Sequence, residues 1–286
     1  MLTILFDGVA YGMLLFVLAC GLAVTLGLMN FINLAHGAFA MAGGYITVIL
    51  MDRLGLSFYL CLPIAFVAAA ILGIVLERLL YRHLYNRDPL DQVLFSIGLV
   101  FMAISGTSYF MGARQQIVHL PASLQGRWHI VGAEIGIYDV FIIVACALIM
   151  IALQLILTRT RFGSQLRAAV DDGRVARGLG IRVNRVFALT FAAGSGLAGL
   201  GGALGSEMLT LDPTFPLRFM IYFLIVVTVG GTTSMTGPFV ASLILGVADV
   251  LGKYYVPGIG AFVIYAVTVV LLLWRPYGLV SREAAR

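Results

Sequence analysis

The sequence predicts an all-α fold, a polytopic transmembrane helical bundle of about eight to nine spans, and three observations lead there. Of 286 residues, 61% are hydrophobic and 11% charged, against about 25% charged in a soluble domain, so a water-facing surface cannot be assembled from this chain. Apolar runs recur along the whole length, and about 20 helical residues cross a hydrocarbon core of about 30 Å. The runs do not alternate in polarity at 24–28 or 267–274. That excludes the dyad repeat of a β-barrel and leaves helices to satisfy backbone polar groups in lipid.

Nine apolar segments are predicted, at 9–28, 34–50, 59–79, 93–111, 140–157, 186–209, 219–231, 239–251 and 259–274. The seventh and eighth are short and read as half-helices or a bent pair. The whole chain, 1–286, reads as one transmembrane domain. The first span follows a segment without a basic n-region, so it is expected to be a retained helix, not a cleaved signal peptide.

The second span opens on a polar cluster, Asn30, Asn33 and His36. At helical spacing Asn33 and His36 share a face and Asn30 extends the stripe. Polar groups at membrane depth face a bundle interior or a water-filled cavity, and Gly37, Gly43 and Gly44 permit close backbone approach or a bend. These residues therefore either line a substrate path or gate, or cap and tie neighbouring helices near the interface.

Between the fourth and fifth spans, 111–139 is the one sizeable connection on its side, with Pro121, Trp128 and His129; it is either a landing surface for a soluble protein or an interfacial loop with a Trp anchor. The connection 158–185 follows the fifth span and is arginine-rich. Residues 164–169 are good helix formers, and Asp171 or Asp172 can cap a second short helix through Val175, Ala176 and Leu179 that Gly180 ends. Val175 and Leu179 share a face flanked by Arg174 and Arg177, so this element is amphipathic and cationic, suited to a partner groove or to lipid headgroups.

In the sixth span GSGLAG at 194–199 fits a dinucleotide-binding fingerprint, but no strand precedes it and it lies inside an apolar helix. Gly194, Ala198 and Gly202, like Ser195, Gly199 and Ala203, recur every four residues, a small-residue face for close helix packing. Glu207 is expected near the outer end of this span, within reach of headgroup water. Tyr222, Thr228, Gly230 and Gly231 in the seventh span are candidates for an apolar-tolerant path. Asp249 and Lys253 in the eighth have the order and spacing of a helical ion pair. Cys20, Cys61 and Cys146 fall in apolar spans at unrelated spacings and carry no metal or disulfide pattern.

Orientation follows from the cations. An outer N-terminus puts thirteen of the 18 Lys and Arg residues on one side, in and around 78–87, 159–185 and 275–286, and five (Arg53, Arg114, Arg127, Arg218 and Lys253) on the other. The positive-inside rule makes the thirteen-cation side cytoplasmic, with a periplasmic N-terminus and a cytoplasmic C-terminus. The formal net charge of +5 is thereby explained by topology, and no nucleic-acid partner is inferred.

Four stretches carry a family resemblance. The 158–185 loop supplies Gly163, Arg167, Ala168, Ala176, Gly180 and Ile181 in the pattern G-x-x-x-R-A with a later A-x-x-x-G-I; the others are NFINLAHGAFAMAGGY at 30–45, VGGTTSMTGP at 229–238, and Arg275, Pro276, Tyr277, Gly278 and Leu279. As an ordered set they resemble the branched-chain amino-acid permeases of ABC importers. The resemblance implies an inner-membrane permease subunit of a bacterial importer for branched-chain or related small amino acids, without cofactor or ATPase of its own. It implies docking of two cytoplasmic ATPase subunits through a coupling segment that includes Gly163, Arg167, Ala168, Asp171, Asp172, Arg174, Ala176 and Gly180. It further implies a second related permease, or a second copy of this chain, and a periplasmic substrate-binding protein. No G-x-x-x-x-G-K-[ST] phosphate loop occurs. The general importer coupling motif opens on Glu-Ala-Ala and closes on Leu-Pro; here Arg167 stands for the Glu and no Leu-Pro follows.

Permeases that resemble this one also serve urea, amides and other small metabolites. A stand-alone channel or secondary carrier is a second class, disfavoured because nearly all charges lie away from the predicted midplane. A membrane enzyme is a third; no HExxH, paired midplane carboxylates or Ser-His constellation supports it, and only His36, His83, His119 and His129 leave it open.

Overall fold

The computed structural model describes residues 1–280 except 30, 32, 86, 131, 132, 232, 233 and 277, and is silent on the side chains of 28, 130 and 133. Among the described residues, nine apolar helices make up the bundle: α1 (Leu2–Met29), α2 (His36–Leu54), α3 (Phe58–Leu79), α4 (Pro89–Met111), α5 (Ile137–Arg159), α8 (Val183–Gly205), α9 (Phe215–Gly230), α10 (Thr236–Tyr255) and α11 (Gly260–Trp274). Between α5 and α8 lie two short polar helices, α6 (Arg161–Asp171) and α7 (Gly173–Gly178). Among the described residues, seven helices are long and apolar enough to cross a membrane, while α9 and α11 are shorter.

Boundary chemistry explains the ends. Gly55, in the left-handed region at φ 62°, closes α2 by donating to the Leu50 and Met51 carbonyls. Pro89 opens α4, where a missing N–H costs nothing. Against the sequence expectation, the eighth span is not short: α10 has 20 residues, because Pro238 sits in its first turn and the charged Asp249 and Lys253 pair within it. The short helices are the seventh, as expected, and the ninth, α11, with 15 residues. The sixth ends at Gly205 instead of 209, where Ser206 Oγ donates to the Ala203 carbonyl at 2.6 Å.

An antiparallel hairpin was not anticipated. Strands β1 (Arg127–Ile130) and β2 (Ala133–Gly136) pair with Trp128 opposite Ile135 and His129 opposite Glu134. Glu134 faces Arg127 at 3.2 Å and His129 at 3.3 Å. Arg127–Ile130 mixes charge with β-formers over four residues, too short a run for alternation to stand out.

Helix α1 is apolar all round and occupies the centre, with Leu14 to Cys20 fully buried. Helices α2, α8, α9 and α10 pack around it, α5 covers one flank and α3 packs on α8. The outer faces of α3, α4, α5 and α11 expose Val67, Ile71, Leu94, Phe101, Leu148, Ile151, Val270 and Leu273, which is the surface a bilayer would cover.

Backbone contact between small residues locks the centre. A Cβ on Gly43 would fall inside the Gly199 backbone and one on Gly202 inside Ala40, so α2 and α8 meet main chain to main chain. A Cβ on Gly12 would stand 2.7 Å from the Ser242 carbonyl oxygen and 2.9 Å from the Leu243 Cα, which sets the approach of α1 to α10. The small-residue face read at 194–203 is thus a two-sided seam: Gly194 meets Gly21 of α1, and Gly199 meets Ala65 and Ala69 of α3.

Candidate functional site

The arginine-rich connection forms a lever anchored at both ends. Thr160 caps α6, its hydroxyl oxygen accepting from the Gly163 N–H at 3.2 Å. A Cβ at Gly163 would lie 2.7 Å from the Ile156 carbonyl oxygen, so only glycine lets the first turn of α6 pack on the end of α5. Arg167 Nη1 donates to the Leu157 carbonyl. That bond satisfies an acceptor left over by the last turn of α5 and places a cation at the negative end of its dipole. Ala168 is half-buried and its carbonyl accepts from the Asp172 N–H at 3.2 Å.

Asp172, not Asp171, is the cap. Its Oδ1 accepts from the N–H groups of Arg174 at 2.8 Å and Val175 at 3.0 Å, and the Val175 and Arg174 bonds hold its carboxyl below the ordinary value of 3.8. Asp171 is exposed. At the far end Gly180 adopts φ 83°, and Ala176 is buried with Ala169 and Val183 against Ile181 and Phe187. The outer face of α7 consists of Arg174, Arg177 and the apolar pair Val175 and Leu179, 58% and 76% exposed.

Among the described residues, the expected path residues pack against neighbouring helices. Asn33 precedes α2, so it does not share a helix face with His36. It is buried, its Oδ1 accepting from the Tyr81 hydroxyl at 3.0 Å and the Ala35 N–H at 3.1 Å. His36 is buried too, Nε2 donating to the Leu18 carbonyl at 2.8 Å beneath the Phe223 ring. Asn30 lies outside the described residues. Gly37 packs on Pro216 and Gly44 on Leu211, and α2 runs unbroken through Gly43 and Gly44. The Tyr222 ring lies between those of Phe219 and Tyr265, tilted 47° and 53° to them. Gly230 lies against Gly237 and Pro238, and Gly231, at φ 82°, against Gly278. Leu279 N–H donates to the Val229 carbonyl at 2.9 Å, joining two of the sequence stretches that carry the family resemblance; Thr232, Thr233 and Tyr277 fall outside the described residues.

A cavity of about 670 Å³ does occur between α2, α3 and α4, on the other face of α2. Ala38, Ala42, Tyr45 and Ile49 line it, and the buried Tyr45 hydroxyl has no hydrogen-bond partner among the described residues. The signal was present in 30–45 as small residues at helical spacing ending on a tyrosine, but the adjacent glycines dominated the reading.

A model of the branched-chain amino acid transport system permease component matches residues 4–272. The chain belongs to that family. Relatives of this permease family include the high-affinity branched-chain amino acid transport permease protein LivH of Salmonella typhimurium, 30% identical over 97% of this chain and 94% of the relative. BraD of Pseudomonas aeruginosa is 28% identical over 97% and 95%. LivM of Escherichia coli is 26% identical over 93% of this chain and 68% of its own length. No solved structure matches this permease.

Proposed function

We propose that the chain is the membrane-spanning subunit of a binding-protein-dependent ABC importer for branched-chain or related small amino acids, with α6 and α7 as the part that two cytoplasmic ATPases grip. The observation that carries this reading is the lever: an exposed Val175 and Leu179 knob between two arginines, on a helix tied rigidly to two spans. Such a knob fits a partner groove. Movement of α7 passes to α8 through Ala176 and Val183 and, through α6, to α5 by way of Arg167. Helix α8 bears on α1, α2 and α3 backbone to backbone, so it moves its neighbours as a body instead of deforming between them.

ATP is hydrolysed in those partners. A second related permease completes the pathway, consistent with LivH and LivM both matching this chain. A periplasmic binding protein delivers substrate on the hairpin side, and the arginine-rich side faces the cytoplasm of a cell bounded by this inner membrane. The test is Asp171→Ala with Arg174→Ala in the assembled complex. ATP turnover continues while uptake of labelled leucine falls at least tenfold, with insertion unchanged; unchanged uptake refutes the placement of the coupling surface, and recovery of a lone, ATP-indifferent transporter refutes the class.

A further inference from the structure

On the arginine-rich side α3, α7 and α8 enclose a cleft of about 590 Å³ whose lining includes neither Val175 nor Leu179. Arg78 comes from the last turn of α3, Arg82 from the turn Tyr81–His83, Arg177 from α7 and Arg185 from the first turn of α8. All four are exposed, and their guanidinium groups form no hydrogen bond or ion pair among the described residues. The one acid in the wall is Glu77, buried and accepting from the Tyr85 hydroxyl at 3.0 Å. The lining thus holds four guanidinium groups and one carboxylate, with Arg78 and Arg82 acting electrostatically on Glu77 and Arg177 on Asp172 just outside the lining.

Val183, Phe187 and Ala188 of α8 add apolar lining beside Arg185. About one turn deeper along each helix the surface turns hydrophobic, with Leu72 and Val75 on α3 and Leu189 on α8 exposed. A convergent set of unpaired arginines at the end of two apolar helices, floored by carbon, matches an amphiphile: a phosphodiester on the guanidinium forks and acyl chains along Val75 and Leu189. We propose that this cleft binds the headgroup of an anionic phospholipid. A groove meant for a protein partner alone needs no continuity with the lipid-facing surface. Bound lipid would brace Arg177 of α7 against α3, so occupancy stiffens the lever without touching its Val175 and Leu179 knob.

The full-length chain, with whatever partners co-purify, is placed in nanodiscs of phosphatidylcholine with or without 30 mol% phosphatidylglycerol, and retained lipid is counted by native mass spectrometry after detergent release. The protein retains phosphatidylglycerol selectively. Arg82→Gln with Arg185→Gln weakens retention about 25-fold, at about fivefold per charge near a membrane surface. The pair Arg159→Gln with Arg161→Gln, exposed on the same side but outside the cleft, leaves it unchanged. Equal loss in both pairs refutes a built site in favour of diffuse surface charge. Inorganic phosphate that displaces phosphatidylglycerol from the cleft at millimolar concentration shows a small-anion site and refutes the lipid assignment. Protection of Arg82 and Arg185 from phenylglyoxal by co-purified ATPase in pure phosphatidylcholine, lost when the ATPase is stripped, assigns the cleft to that protein and refutes it as well.

Discussion

Replacing Gly43 by alanine tests the claim that α2 and α8 are held at backbone contact. A Cβ there would collide with the carbonyl group and Cα of Gly199, atoms that belong to a helix and cannot rotate aside. Carbon atoms settle at about 3.5–4.0 Å, so the two helices must separate. Overpacking costs about 1–3 kcal/mol, and the rigid opponent places this case near 3 kcal/mol. Alanine returns about 1 kcal/mol in helix propensity. The net loss is about 2 kcal/mol, a folding constant reduced about 30-fold and a melting temperature lowered by about 4–8 °C. The control is Gly98→Ala on α4, where an added Cβ meets nothing within 4 Å, so only the propensity gain remains. Free Cys20, Cys61 and Cys146 are all buried, so a thiol-reactive dye reports unfolding in detergent without added probes. A Gly43→Ala protein that melts at or above the parent temperature would refute main-chain contact at this crossing.

Two further outcomes follow from buried or capped charges. Lys253 Nζ stands 2.5 Å from Asp249 Oδ2, and Asp249 Oδ1 is buried without a hydrogen-bond partner among the described residues; Lys253→Met strands that carboxylate, whereas Asp249→Asn leaves a half-exposed lysine that water can solvate. Lys253→Met therefore lowers the melting temperature more, and the reverse order contradicts the assignment. Asp172 has its folded-state pKa depressed below 3.8, so its cap contributes above the unfolded value and is lost as pH falls through the folded one. Rate-corrected hydrogen exchange at Arg174 and Val175 accelerates under those acid conditions, and Asp172→Ala shows the fast exchange already at neutral pH; protection that persists in the variant contradicts the cap.

Apolar length alone made the nine helices legible, and two local rules made the lever legible: an acidic residue before a short amphipathic stretch, and glycine after it. Sequence left Asp171 and Asp172 as equal candidates for the cap, because the choice depends on where α6 ends. The role of Arg167 was invisible, since its acceptor, the Leu157 carbonyl, is freed only when α5 stops at Arg159. Sequence left Asn33 and His36 open between a substrate path and a structural tie, because their partners, Tyr81 and Leu18, lie 48 and 18 residues away and leave no periodic trace. The cleft arginines come from four elements and were read only as topology signals. Nothing in their spacing announced that they meet.

The central place of α1 has a consequence for biogenesis. Gly12 is packed against Ser242 and Leu243, residues a ribosome adds about 10–50 s later at about 5–20 residues per second. During that interval the first helix waits in the bilayer with its small-residue notches open to lipid or to other nascent chains. Insertion machinery that shelters it until α8 and α10 arrive would set the yield of folded protein more than the intrinsic stability of any one helix.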